Sequence, residues 1–411
     1  MTDFSSRPFR LALNGLLVAG VCVTLLMMNS AEQSSSTVEA HVLTAADGKQ
    51  WYRGNLHTHS LWSDGDDYLE AIGLWYREHD YDFLCYTDHN ILATSRERWS
   101  NVDKNKGGRN AFDKLKQKFP GDWVEERTTG DVTEVRLKTF EEVFAKLAVP
   151  GKFLLIQGEE VTDRFGRYPV HMNVSNIKEP LPPMGGESVY DAMQNNINAM
   201  IAQRERTGQT MMMHLNHPNF GYGVTAEDLM RVRGENFFEV YNGHPGVNNS
   251  GNAENASTER IWDIILTKRL AELKLPVMFG LATDDGHSYH KIPSRASEPG
   301  RGWVMVLADG LAPTSLIESL ERGDFYSSSG VSLENVTSSN EGLDLKVAAE
   351  DGVTYRIDFI GTRKGFEAAS EPVKNSKGNE IRATRRYSDD IGVTLKSVDG
   401  TSGSYRFSGD E

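Results

Sequence analysis

Gln50-Trp51-Tyr52-Arg53-Gly54-Asn55-Leu56-His57-Thr58-His59, running on into Ser63-Asp64-Gly65, is the stretch that decides how this chain folds. An extended run ends on two histidines spaced by two. Strand side chains alternate faces, so His57 and His59 point the same way and can close on one cation. Imidazole suits zinc, iron, nickel and related metals. The same delivery recurs along the chain. Tyr81–Tyr86 ends at Thr87-Asp88-His89, and Lys152–Gln157 ends at Gly158-Glu159-Glu160-Val161. Gln209–Met213 ends at His214-Leu215-Asn216-His217-Pro218. Leu275–Leu281 reads as a buried strand and leads to Asp284-Asp285-Gly286-His287, where Asp285 and His287 repeat the spacing of the first pair. One such pattern alone is more often structural than functional. Repeated at strand end after strand end, it implies convergence on metal. A barrel of parallel strands brings all these ends to one mouth, where barrel enzymes keep their sites.

In their order along the chain, these motifs resemble the PHP (polymerase and histidinol phosphatase) superfamily over roughly residues 50 to 330. The branch most similar is the free-standing bacterial one that includes carbaryl-hydrolase-like metallohydrolases, because Glu160-Val161-Thr162 is followed by His171-Met172-Asn173. The resemblance implies an α/β fold, a distorted (β/α)7 TIM-like barrel, with two or three divalent metals (Zn, Mn or Fe) at the strand ends. It implies three cation positions. His57, His59, Glu160 and Asp285 would hold the first. Glu160 would bridge to a second, completed by His171 and His217. Asp64, His89 and His287 would hold a third; Asp64 stands where other members carry a histidine, and a harder oxygen ligand favours Mn or Fe there. The family pattern selects Glu160 over Glu159, His217 over His214 and Asp285 over Asp284. Asp88 is read as an orienting or capping group. The amidohydrolase superfamily also opens with His-x-His, but lacks the Ser-Asp-Gly and Thr-Asp-His segments.

Metals of this kind bring the pKa of bound water from 15.7 towards about 7, giving hydroxide at neutral pH, and they stabilise charge on the attacked oxygens. No serine or cysteine nucleophile is needed. Cys85 lies in an apolar run and reads as buried and inert. Glu160, Asp64 and His287 are the expected catalytic groups, Asp64 or His287 relaying a proton to the leaving group where the third position is empty or labile. Asn55, Asn216 and Asn242 are expected to orient ligands. Arg164 and Arg167 are the expected contacts to a phosphate or carboxylate. The expected activity is phosphoester hydrolysis. Hydrolysis of a carboxylic or carbamic ester or amide is the alternative, and an inactive binding or scaffold module is the third reading. His41, His79, His244 and His290 match no motif; His244, beside Asn242-Gly243, is the one within reach of the pocket.

The chain has 411 residues, with 44 Lys plus Arg against 58 Asp plus Glu and a net charge of −14. That balance argues against nucleic acid as partner, which requires a basic face, and leaves a small-molecule or anionic ester substrate. One basic run, Arg96–Lys118, reads as a helical insertion near the mouth. At the N-terminus, Arg7 and Arg10 precede the apolar stretch Leu11–Met28, so residues 1–28 read as a secretion signal or an uncleaved membrane anchor. Residues 29–48 read as a polar linker. The expected location is therefore exported and periplasmic, with membrane association through the anchor. Residues 49–330 form the expected barrel. Residues 331–411 carry short alternating stretches, a small C-terminal β domain.

Overall fold

The computed structural model describes residues 48–411 and, before them, only the backbone strands Ala12–Leu13 and His41–Leu43. Apart from Ala12–Leu13, the expected signal or anchor lies outside the described residues. Among those described, no helix is long and apolar enough to cross a membrane.

One large sheet dominates the molecule. In chain order its strands are β1 (Gln50–Asn55), β2 (Phe83–Tyr86), then β6 (Leu154–Phe165), β7 (Tyr168–Ser175), β8 (Met212–Leu215), β9 (Phe237–Asn242), β10 (Phe279–Thr283), β11 (Trp303–Ala308) and β12 (Phe325–Ser328). Strands β3 (Trp99–Asn101), β4 (Glu126–Thr129) and β5 (Val132–Arg136) make a separate three-stranded ribbon. The spatial order of the large sheet is β12-β11-β1-β2-β6-β7-β8-β9-β10, with Ala12–Leu13 beside β12. Its two ends turn towards each other. Ser327 Oγ of β12 donates to Gly280 O of β10 at 2.8 Å, and a parallel bridge joins Thr58 to Gly286. The result is a nearly closed α/β barrel.

The barrel departs from an all-parallel one. β1, β2 and β6 are mutually parallel, as are β8, β9 and β10. β7, however, runs antiparallel to both of its neighbours, and β11 runs antiparallel to β1 and β12. The cause of the first reversal is local. Gly166 turns with φ 58°, so β6 and β7 form a hairpin with no crossover helix between them. His171 therefore sits within a strand rather than beyond one.

Alternation along each strand sorts the side chains into layers. Phe83, Cys85, Leu154, Ile156, Met212, Phe237, Leu281, Val304, Val306 and Phe325 fill the barrel interior. Leu84, Tyr86 and Leu155 point outward to the helices. These helices start where the sequence offers caps. Thr139 and Glu142 form a capping box for α3 (Phe140–Leu147). Ser188 caps α4 (Val189–Thr207), which ends on left-handed Gly208. The basic insertion is only partly helical: β3 and a loop precede α2 (Gly108–Lys118), and Arg109, Lys116 and Lys118 pair with Asp103, Glu126 and Glu78. Further helices span Ala226–Leu229, capped by Thr225, and Thr258–Thr267, capped by Ser257.

The C-terminal strands include β13 (Leu333–Ser339), β14 (Gly342–Val347) and β15 (Arg356–Gly361). Leu333, Val336, Val347, Ile357 and Phe359 pack with Leu307 and Tyr326 on the outside of the barrel. A second contact lies near the mouth, where Arg382 pairs with Asp228, lies 4.3 Å over the Tyr168 ring and donates to Gly223 O at 2.9 Å.

Candidate metal centre

The inward row of β6 runs Leu154, Ile156, Gly158, Glu160. Apolar filling gives way to a carboxylate as the strand reaches the mouth. Glu160 is completely buried. Its Oε2 lies 3.2 Å from His57 Nε2, 3.0 Å from His59 Nε2 and 3.1 Å from His89 Nδ1. Its Oε1 faces the other way, 2.9 Å from His171 Nδ1 and 3.6 Å from His217 Nε2. Asn216 Nδ2 donates to Oε1 at 2.9 Å.

Asp285 completes the first group, with Oδ1 3.3 Å from the Nε2 atoms of both His57 and His59. The two Nε2 atoms are themselves 3.0 Å apart. Asp285 adopts φ 50°, a left-handed conformation that aspartate tolerates better than most residues, and Asn242 Nδ2 donates to its Oδ2 at 3.1 Å. The third group gathers on Asp64, whose Oδ1 is 3.1 Å from His287 Nε2, 3.5 Å from His89 Nε2 and 3.8 Å from His59 Nδ1. The Ser-Asp-Gly turn needs its glycine, because a Cβ on Gly65 would lie 2.4 Å from His59 O.

Three observations test whether this donor set fits cations. First, His57 Nδ1 donates to Glu239 Oε1 at 2.7 Å, so the lone pair on Nε2 points at the oxygens of Glu160 and Asp285. Lone pairs facing anionic oxygens repel unless a positive charge lies between them. Second, the spacing of 3.0–3.3 Å among these four atoms is close to that of a tetrahedral shell, in which ligands about 2.0–2.2 Å from the ion stand about 3.3–3.6 Å apart. Third, among the described residues Asp64 Oδ1 and His171 Nδ1 are buried with no partner in hydrogen-bond geometry, despite their close approaches, which is rare for such atoms. The residues fit.

Without cations, protons take their place. Burial alone would lower the His59 pKa, but Asp285 and Glu160 outweigh it and lift it to about 9. His57 is raised in the same way by Asp285, Glu239 and Glu160. Burial opposes ionisation of Glu160 and Asp285, yet the surrounding imidazoles hold both well below the usual carboxylate range. His89 behaves differently: burial pushes it down to about 4.

Every expected metal-ligating side chain, namely His57, His59, Asp64, His89, Glu160, His171, His217, Asp285 and His287, meets another of the set in this cluster. Arg164 and Arg167 stand exposed at the tip of the β6–β7 hairpin, where Arg167 donates to Tyr168 OH and touches none of the ligand set. Among the described residues, a cation that does reach the cluster is Lys106, whose Nζ donates to Asp64 O and lies 3.3 Å from Asp64 Oδ2. Asp88 is an organiser: it accepts from Ser60 N, Ser60 Oγ and Ser63 Oγ. His79 stacks on Trp75, and His290 donates to Asp66 O. Cys85 is buried, with its thiol pushed up to about 12.

Sequence reasoning missed Glu239. It is wholly buried and, besides holding His57, accepts from His217 N, Asn242 Nδ2 and Thr283 Oγ1. His214 lies 3.5 Å from it, inside the barrel and below the mouth. The signal was there: Phe237 and Glu239 alternate inward in a run otherwise fit for a buried strand, and a carboxylate in such a row must have partners.

No family model and no curated protein matches the chain. Among solved structures, the chain is similar to a two-domain protein containing a predicted PHP-like metal-dependent phosphoesterase from Bacteroides vulgatus, at 14% identity and TM-score 0.39 over 92% of each chain. It is also similar to PsfC from Pseudomonas syringae, at 13% identity and TM-score 0.32 over 66% of this chain and 88% of that one. A second predicted metal-dependent phosphoesterase, from Bifidobacterium adolescentis, matches at 14% identity and TM-score 0.31 over 59% of this chain and 90% of that one. Likeness at this level assigns no chemistry, so the side chains carry the functional argument.

Proposed function

We propose that this protein is a metal-dependent hydrolase of the PHP type and that its reaction is phosphoester hydrolysis. One observation carries the reading: the two oxygens of Glu160 face two different sets of imidazoles, Oε2 towards His57, His59 and His89, and Oε1 towards His171 and His217. A carboxylate so divided is suited to two neighbouring cations. His57, His59 and Asp285 would complete one position, His171 and His217 the other, and Asp64, His89 and His287 a third.

Divalent ions held there would supply Lewis acidity, acidifying water and offsetting charge that builds on an ester's oxygens. The protein's part is to hold this donor set rigid. Glu239 fixes the His57 ring through Nδ1, and Asn216 and Asn242 fix the carboxylates of Glu160 and Asp285. Where the third position is empty, Asp64, with 41% of its side chain exposed beside His287, would pass a proton between the mouth and solvent. Lys106 adds positive charge at the same rim.

Metal analysis of the purified protein tests the reading, with at least two ions per chain expected; a metal-free, chelator-insensitive protein would indicate the scaffold alternative. Assays with para-nitrophenyl phosphate and para-nitrophenyl acetate then separate phosphatase from carboxylic esterase. We extend the proposal to export, supported by Arg7 and Arg10 ahead of the apolar Leu11–Met28. Cell fractionation checks it: a cytoplasmic full-length protein would refute it.

A further inference from the structure

One wall of the mouth belongs to none of the three cation positions. Phe220 follows His217 in a tight turn, its N–H donating to His217 O at 2.8 Å. The Phe220 ring lies 5.1 Å from the His217 ring and 5.9 Å from that of His171. It remains 36% exposed, an apolar face open to solvent next to histidine ligands. Across from it, His244 lies 6.5 Å from Phe220 and 5.3 Å from His287, measured between ring centroids.

The orientation of His244 is fixed. Gly246 N donates to its Nδ1 at 2.9 Å, so in the neutral ring the proton sits on Nε2. Among the described residues that Nε2 has no hydrogen-bond partner. The two loops are built as one piece: Phe220 bridges to Val247, and Val247 N donates to His244 O at 3.0 Å. Gly246 fits between them. A Cβ there would lie 3.0 Å from His244 Nδ1 and 3.6 Å from Phe220. Arg382 holds the far end of the first loop through Gly223 O. A phenyl face and an unengaged N–H donor, both held before any ligand arrives, are what recognition of a flat apolar group carrying an acceptor requires.

We infer that Phe220 and His244 form a substrate-recognition subsite, in which Phe220 packs against an aromatic group on the ester and His244 Nε2–H donates to an ester oxygen. The inference rests on the proposed hydrolytic metal centre and names the substrate class that centre would serve: esters bearing an aromatic group.

Calorimetric binding of phenylphosphonate and methylphosphonate to the full-length, Mn-loaded protein tests it, with metal content measured on the same samples. Phenylphosphonate is expected to bind about tenfold tighter or more, as burial of the extra apolar surface requires. Phe220→Ala should erase that preference with metal content unchanged, whereas Phe220→Leu should keep part of it. His244→Ala should weaken both ligands alike, and His244→Gln, which retains an N–H, should restore part of the loss. Equal affinity of the wild-type protein for the two phosphonates, with metal bound, overturns the subsite and leaves the metal centre standing. Loss of metal in Phe220→Leu overturns it too, because the ring would then merely shield His171 and His217. Absence of metal from the wild-type protein defeats the hydrolase reading itself, and the subsite with it.

Discussion

Glu159 and Glu160 are neighbours on one strand, both almost wholly buried, and they live in opposite worlds. Glu160 points into the barrel among imidazoles, which keep it ionised. Glu159 points outward, where its carboxylate accepts from Leu181 N at 2.8 Å, and burial pushes its pKa up to about 7. The strand's pleat alone makes the difference. Two identical side chains about 3.8 Å apart along the backbone become a ligand candidate and a packing group because one faces compensating charge and the other does not.

The largest expected effect breaks this contrast directly. Glu160→Gln should lower turnover by about two to three orders of magnitude and reduce bound metal, read by elemental analysis beside a phosphatase assay. Were Glu159→Gln the crippling change instead, Glu160 could not be the carboxylate that β6 turns inward. Next comes Glu239→Gln, which keeps the volume but weakens the hold on His57. Metal affinity should fall about 10–100-fold, measured by competition with a chelating dye.

Removing the metal sharpens the comparison through pH. His59 is raised to about 9 in the metal-free protein, against about 6.5 in an unfolded chain. Its proton therefore stabilises the fold below about pH 6.5, and that contribution is lost as pH rises through about 9. Thermal unfolding of chelated protein should shift to lower temperature over this window. Metal-loaded protein should not follow, because deprotonated imidazoles bind cations better.

The smallest effect belongs to Glu159→Gln. A carboxyl whose pKa rises on folding stabilises below its unfolded value, and this contribution fades as pH climbs through about 7. The variant should match wild type in metal content and turnover. It should be no less stable at pH 8, and should lack the wild-type decline between about pH 4.5 and 7. Paired melting curves at pH 5 and pH 8 check this.

Much of the barrel was legible because its signal is local. Apolar runs ended on histidines and acids, and period-two spacing put His57 with His59 on one face. What stayed hidden depends on pairing across the sheet. The antiparallel β7 arises from a glycine turn that removes a crossover helix, and its residues alternate as they would in a parallel strand. Glu239 sat in plain view, but nothing in Phe237–Asn242 tells which neighbour a mid-strand carboxylate will meet. Arg164 and Arg167 were singled out for proximity to Glu160 along the chain. Yet each residue of an extended strand carries the backbone about 3.3 Å further, and the hairpin takes both past the cluster. Lys106, distant in sequence, arrives instead through the insertion.

The grip of Arg382 on Gly223 and Asp228 gives the tail of the polypeptide a hand in the loop bearing Phe220. Trimming the protein back to its barrel would strip the outer cover from Leu307 and Tyr326 and, at the same stroke, unclip that loop. On the proposed hydrolytic reading, fidelity towards one ester over another would then be lost before turnover itself, so the shortened protein should be less choosy rather than dead.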